Sequence, residues 1–304
     1  YLKQFLMDKR VVDIFRPLWW LILNGPILTF RPSKSGKAYQ KIWDKDNHGS
    51  PLRKFTINQT SKLKKIFESY KNISIEYAMR YGTPEIEKTL NKMTKKGCSK
   101  ILLVPLYPQY AASTSATVKD EVFKWMLKQR WQPDLRTIAP WFDNHNYIKA
   151  LAQTVKKHII NKDKLDKLIV SFHGIPKRYF MAGDPYHCHC IKSARLLKEE
   201  LKWPDDKILV TFQSRFGPEP WLQPYTDETI IDLAKKGQKN IAVVAPGFIS
   251  DCLETLEEIN VEARELFIEH GGESFEYIPC LNDNEYSIKF LEYIIKQNLL
   301  GWNS

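Results

Sequence analysis

The chain reads as an α/β protein whose parallel sheets are flanked by helices and arranged as two similar units. Three observations predict this. Short apolar β-forming runs alternate with amphipathic segments of helix length, no long linker or low-complexity tract interrupts them, and two stretches of the first half are echoed in the second.

Taken in order, the stretch from Phe15 to Phe30 is the most apolar in the chain. Arg16, Asn24, Gly25 and two prolines break it, and it is shorter than the ~20 residues of a bilayer-spanning helix. Trp19, Trp20, Leu21, Ile22 and Leu23, between Arg16 and Arg31, read either as a buried helix or as the greasy lip of a pocket resting against a membrane. Strands are expected at Ile73 to Tyr77, Ile101 to Leu106, Leu168 to Ser171, Ile208 to Phe212 and Ile241 to Ala245. Helices fit Pro84 to Lys96, Ser115 to Gln129, Tyr147 to Asn161, Cys190 to Leu201, Thr226 to Lys236 and Asp251 to His270. Ala78-Met79-Arg80-Tyr81-Gly82-Thr83-Pro84 is matched by Gln213-Ser214-Arg215-Phe216-Gly217-Pro218, and Lys95-Lys96-Gly97 before Ile101 by Lys235-Lys236-Gly237 before Ile241. These echoes predict a duplicated unit, residues 1–150 and 151–304, with the binding site in the cleft between the copies.

At 304 residues the chain can bury two cores, and 43% hydrophobic with 27% charged residues describes a globular protein. The formal charge of +11 suits an anionic partner. The lysines are scattered and no nucleic-acid module is visible, which argues against nucleic acid and leaves solvated surface, part of it able to face anionic lipid. Five cysteines make no disulfide framework, so a reducing, cytoplasmic compartment is expected. The chain begins at Tyr1 rather than Met, so its natural start and any targeting segment are expected upstream.

Chemistry concentrates in the second half. The run Leu168-Ile169-Val170 stops at Ser171-Phe172-His173-Gly174, which delivers an imidazole to the carboxyl end of a buried strand, where open α/β sheets keep their sites. Gly174 and Pro176 make a stiff loop behind it, as a proton acceptor requires. A satisfied histidine at a strand end is the alternative. After the strand ending at Ala245, Ser250 is a candidate N-cap, and Asp251 and Glu254, three apart, share one helix face. Either acid alone is explained by capping; as a pair facing an imidazole they suit proton transfer or guidance of a divalent cation.

His187-Cys188-His189-Cys190 invites a metal assignment, but its ligands alternate and no second Cys-x-x-Cys partner exists. Cys98, beside lysines, reads as a strand-entry filler. His48, His158 and His270 read as surface residues, and His145 either lines a metal route or caps a helix.

Four separated motifs carry a resemblance. Ser171-Phe172-His173-Gly174-Ile175-Pro176, Gly183-Asp184-Pro185-Tyr186, Trp221-Leu222-Gln223-Pro224 with Thr226-Asp227-Glu228, and Ser250-Asp251-Cys252-Leu253-Glu254-Thr255-Leu256 resemble the ferrochelatase family, in order and over nearly the whole chain. The resemblance implies two Rossmann-like domains and insertion of Fe(II) into protoporphyrin IX, the last step of haem biosynthesis. It implies His173 as the catalytic base and Glu254 as the carboxylate opposite, with His173, Glu254 and Asp251 guiding the metal. Cys252 stands where many relatives have histidine. Arg31, Tyr39, Ser50, Gln59, Arg80, Tyr81, Tyr107, Ser113 and Trp221 fall on porphyrin-pocket positions, with Arg31 and Arg80 suited to the propionates by their planar donors. Fe(II) is then a substrate and no cofactor is retained. A [2Fe-2S] cluster on Cys188, Cys190, Cys252 and Cys280 is not expected, because Ala112 occupies a cluster-cysteine position of animal relatives and a cysteine-rich tail is lacking. The partners implied are protoporphyrin IX and Fe(II), with peripheral membrane contact left open. A tetrapyrrole carrier that performs no chemistry, and a cobalt chelatase of the same fold, are the alternatives.

Overall fold

The computed structural model describes residues 1–43, 49–159 and 164–302; His48 and the end of the helix expected to reach Asn161 lie outside these. The chain opens with α1 (Leu2–Leu6) and α2 (Arg16–Ile22), continuing through a π turn into α3 (Leu28–Ile42). Gly25 leaves helical geometry inside that turn, next to Pro26, so the helix kinks there. The indole of Trp19 donates to the Leu6 carbonyl at 2.7 Å, and Leu6, Trp19 and Leu23 form a small core of their own. This apolar stretch has two faces: Trp19 and Leu23 are buried, as a buried helix requires, while Leu18, Trp20 and Leu21 are exposed.

Helix α4 (Pro51–Ile66) follows, then α5 (Ile86–Lys95), β1 (Lys100–Leu103), α6 (Thr117–Lys128) and β2 (Asp134–Thr137). β1 and β2 pair in parallel, with Ile101 opposite Leu135. Residues 73–77, expected as a strand, join no ladder among the described residues. Ile73 and Ile75 still turn inward against the core, which is what their alternation encoded. No strand lies hydrogen-bonded beside this segment, so the pattern is satisfied without a sheet.

The second half contains α7 (His145–His158), β3 (Lys167–His173), α8 (Lys177–Met181), α9 (Tyr186–Leu201), β4 (Ile208–Gln213), α10 (Thr226–Lys235) and β5 (Asn240–Val244). It ends with α11 (Leu253–Leu256), a π segment at Glu258–Ala263, α12 (Arg264–Glu269), β6 (Ser274–Ile278) and α13 (Glu285–Asn298). The sheet order is β4-β3-β5-β6, parallel throughout. β3 is central and buried on both faces, hence its unbroken apolar run. Strand order reverses beside it, so His173 at its carboxyl end and the loop after β5 face one crevice.

The duplication has a backbone counterpart. The Met79 N–H donates to the Pro84 carbonyl and the Phe212 N–H to the Pro224 carbonyl, each at 2.8 Å, just before α5 and α10. Those helices both end on a glycine in the left-handed region, Gly97 at φ 89° and Gly237 at φ 82°. The boundary expected at residue 150, however, falls inside α7. Trp141 and Tyr147, ahead of that position, pack on Phe290 of α13, and Leu63 and Phe67 belong to the same core as β3. One apolar core therefore runs through both halves.

Candidate active site

β3 ends by presenting His173 to a cavity of ≈ 1530 Å³ lined from both halves of the chain. This exceeds the roughly 300–1,000 Å³ of ordinary small-molecule pockets, so a flat macrocycle has room. The Nδ1 of His173 lies 2.6 Å from the Gly174 carbonyl oxygen. A carbonyl only accepts, so Nδ1 carries a proton, and in the neutral imidazole the free lone pair is on Nε2. The ring sits between Trp221 and Phe248, each with its centroid 6.5 Å away. Gly174 is required by close approach: a Cβ there would lie 3.0 Å from the Gln213 carbonyl and 3.2 Å from the Trp221 ring.

Glu254 lines the same cavity from α11, together with Cys252, which is the true N-terminal cap residue of that helix. Gln213, at the end of β4 and buried, ties the two sides together. Its Nε2 donates to the Glu254 carbonyl at 2.7 Å, and its Oε1 accepts from Ser171 of β3 at 2.7 Å. Ser171 continues to Thr226 at 3.0 Å, and Thr226 to Thr211 at 2.9 Å. A buried polar ladder thus sets the position of Glu254 relative to the strand that carries His173.

Behind Glu254 stands Glu258, which the sequence reading missed. Burial holds its carboxyl above the usual carboxylate range and Glu254 adds to this, against a hydrogen bond from Ser214 and the influence of His173. Ser214 makes that bond from a left-handed backbone at φ 65°. The signal was present in the spacing, since Glu258 falls one helical turn after Glu254. Three phenols complete this end. Burial and the proximity of Glu254 and Cys252 push Tyr39 and Tyr107 each up to about 12, and Tyr1 is raised by burial and Tyr39. All three therefore remain hydrogen-bond donors at neutral pH. Burial, with Glu254 and Cys280 nearby, likewise keeps the Cys252 thiol protonated.

Of the residues expected at the site, His173, Glu254, Arg31, Tyr39, Gln59, Arg80, Tyr81, Tyr107, Ser113 and Trp221 all line the cavity. Two do not. Ser50 caps α4, accepting from the Arg53 N–H at 3.4 Å. Asp251 precedes α11 instead of sharing its face, is 4% exposed, and spends both oxygens on protein donors. Asn282 Nδ2 reaches it at 2.6 Å, Thr255 Oγ1 at 3.1 Å and the Cys280 N–H at 3.2 Å, with Tyr277 a fourth. Its role in guiding metal is corrected to that of a structural anchor for the 250–255 loop. Gln59 is bound by Nε2 to Asn282 O at 2.6 Å and Ser250 Oγ at 3.1 Å, which fixes its amide and leaves Oε1 without a protein donor.

The His-Cys-His-Cys run opens α9 and scatters its side chains: Cys188 is exposed, Cys190 is buried, and His189 stacks on Phe142 at 3.7 Å. His145 is an exposed first residue of α7, whose cap is Asn144, so it neither caps nor lines the cavity. Among the described residues, no three His, Cys, Asp or Glu side chains converge as a metal site. The lip α1–α3 is strapped across the mouth by Lys41–Glu257 at 2.8 Å, by Arg178 to Asp13 at 3.2 Å, and by the Arg31 guanidinium over the Phe216 ring at 4.8 Å.

The model of one protein family, described as Ferrochelatase, matches residues 1–299. A protein named Ferrochelatase from Allorhizobium ampelinum is 54% identical over 303 residues, covering 99% of this chain and 88% of the relative. One of the same name from Rhizobium meliloti is 52% identical over 303 residues, covering 99% and 89%. Among solved structures, one described as SirB from Bacillus subtilis with Fe3+ superposes with a TM-score of 0.60 over 84% of this chain and 94% of that one. At 18% identity that likeness shows the shared chelatase fold.

Proposed function

Because this chain belongs to the ferrochelatase family and inserts Fe(II) into protoporphyrin IX to give protohaem, we propose that His173 is its general base and Glu254 the carboxylate that hands on the metal. The observation that carries this is one cavity lined by both His173, its Nδ1 turned to the Gly174 carbonyl, and Glu254. In the reaction two pyrrole N–H bonds break, two protons leave, and Fe(II) enters without change of oxidation state. Nε2 accepts a pyrrole proton from one side of the ring. Glu254, supported by Glu258 and the Tyr39 and Tyr107 hydroxyls, exchanges for water on the hydrated cation, whose hard oxygen ligands it resembles. Trp221 and Phe248 wall the ring, and a wall that favours a bent macrocycle binds the transition state better than the flat substrate. We assign Arg31, which has no carboxylate partner among the described residues, to a propionate.

The test is an anaerobic assay of the full chain with Fe(II) and protoporphyrin IX, read by the haem spectrum, beside His173→Ala. The variant should bind porphyrin within about twofold of wild type and lose on the order of 10²–10⁴ in insertion rate. Equal insertion by both proteins would refute His173 as the base. A porphyrin carrier would bind porphyrin and insert nothing in either form.

Localisation belongs to the same proposal. No helix among the described residues is long and apolar enough to cross a membrane. We place the enzyme in the cytoplasm, at the surface of an anionic bilayer, because exposed Phe15, Leu18, Trp20, Leu21 and Phe30 lie in or lead into α3, which holds basic residues and no acid. Co-sedimentation with phosphatidylglycerol vesicles but not with phosphatidylcholine is the expected result; binding to neither removes the membrane from the reading.

A further inference from the structure

The wall that carries Arg80 and Tyr81 already holds a carboxylate. Asp8, just after α1, receives Arg80 Nη2 at 2.5 Å, Tyr81 Oη at 2.9 Å and Thr117 Oγ1 on its Oδ2, and the Arg10 N–H at 2.8 Å on its Oδ1. The side chains of Asp8 and Arg80 are 8% and 11% exposed. Arg80 Nε is turned to Thr117, Oγ1 at 2.7 Å and the carbonyl at 3.1 Å, and its guanidinium lies over the Tyr81 ring at 4.5 Å. Glu121 stands 3.4 Å from the same Nη2. A planar guanidinium, a phenol and a hydroxyl donating to one oxygen make a carboxylate receptor, and this one is full.

The other arginines of the cavity sharpen the point. Arg178 is committed to Asp13 at 3.2 Å and Glu219 at 2.9 Å. Arg31 alone among the cavity-lining arginines has no carboxylate partner within the described residues. One edge of the cavity therefore offers an open arginine, and the Arg80 wall offers one whose seat is taken.

We propose that Asp8 is a specificity-determining residue: by filling the Arg80–Tyr81–Thr117 seat with the chain's own carboxylate, it bars substrate carboxylates from that wall and selects porphyrins whose carboxylates lie along one edge. Arg80 and Tyr81 line the cavity and Asp8 stands behind them, so a ring with carboxylates distributed around it would bring a second negative charge to a wall whose cation is already neutralised, and specificity of this kind needs no new attractive contact. The inference rests on the ferrochelatase reading, since it concerns the porphyrin that the cavity accepts.

The experiment compares iron insertion by the full chain into protoporphyrin IX, with two carboxylates, and coproporphyrin III, with four. Wild type should favour protoporphyrin in kcat/KM. Asp8→Ala should lower KM for coproporphyrin and shift the ratio of kcat/KM values by about 10- to 100-fold, the range of one charge-assisted receptor. Acetate should refill the vacated seat and restore the ratio in the variant while leaving wild type unchanged. Adding Arg80→Gln to Asp8→Ala should abolish the shift. A purely structural Asp8 would raise both KM values together and respond to none of these, which overturns the proposal. If Asp8→Ala folds only with acetate present, that rescue together with the near-isosteric Asp8→Asn supplies the comparison. Equal use of both porphyrins by wild type overturns the proposal outright while leaving the chelatase reading intact, and failure to metallate either porphyrin overturns that reading instead.

Discussion

Replacing Gln213 with leucine isolates the ladder that positions Glu254. Leucine keeps nearly the volume of glutamine, so packing at this buried position survives while its hydrogen bonds vanish. Ser171 Oγ retains Thr226 at 3.0 Å, so its loss is one bond. The Glu254 carbonyl loses its 2.7 Å donor, and Glu258 loses only a long contact at 3.5 Å that adds little. One lost bond at about 1 kcal/mol and one orphaned carbonyl at about 1–3 kcal/mol give roughly 2–4 kcal/mol. Gln213 does not line the cavity, so porphyrin affinity should stay within about twofold; the strain falls on the placement of Glu254. If half or more of that energy is realised in the transition state, kcat falls by about 10- to 10³-fold. Anaerobic steady-state kinetics with porphyrin binding by fluorescence quenching, beside thermal unfolding, separates the terms. A lowered Tm with unchanged kcat, or a raised KM with unchanged kcat, would refute the positioning argument.

Asp251→Ala should lower Tm sharply, because four donors lose a buried acceptor at a cost of about 3–5 kcal/mol, while KM for Fe(II) in the folded protein stays unchanged; a selective rise in that KM would return Asp251 to the metal path. Glu258→Gln should be stabilising, and increasingly so as pH rises. The folded-state pKa of Glu258 is raised, so the wild type gains from its neutral form below the unfolded value near 4.3 and loses that gain as pH climbs through the folded value. The Tm difference between variant and wild type should therefore grow as pH rises from about 4 through the folded-state value and then level off, and a difference independent of pH would show that Glu258 ionises without penalty.

What was legible in the sequence was whatever depends on periodicity and on chain-local chemistry. The run Leu168 to Val170 ending at His173 encoded a central strand with a histidine at its tip, and both are present. The helix expected over Asp251 to His270 is broken into α11, a π segment and α12, because a pattern of apolar positions does not register where the backbone bonds shift by one residue. β2 was missed because Asp134-Leu-Arg-Thr carries charges suited to a sheet edge, and β6, also at an edge, because Ser274-Phe-Glu-Tyr-Ile alternates polar with apolar and shows no unbroken apolar run. Asp251 was misread for a different reason: its partners Tyr277, Cys280 and Asn282 come from β6 and the loop after it, and no local rule announces them. Gln213 and Asp8 were invisible as site residues on the same ground, since each acquires its role from groups many tens of residues away.

The passage of α13 back to the opening half bears on how a rigid disc the size of a porphyrin gets in and out. That helix packs on both α7 and α4, and Arg136 of β2 holds the carbonyl of Leu300, just beyond its end, at 3.1 Å. A clamshell motion would have to tear this seam, so the two lobes are pinned at the back like a book with a glued spine. Traffic must pass the rim instead, where the opening helices carry a miniature core of their own and are held to the rest by polar and cation–π contacts, Asp8 on Arg80 among them, that can part without disturbing the sheets.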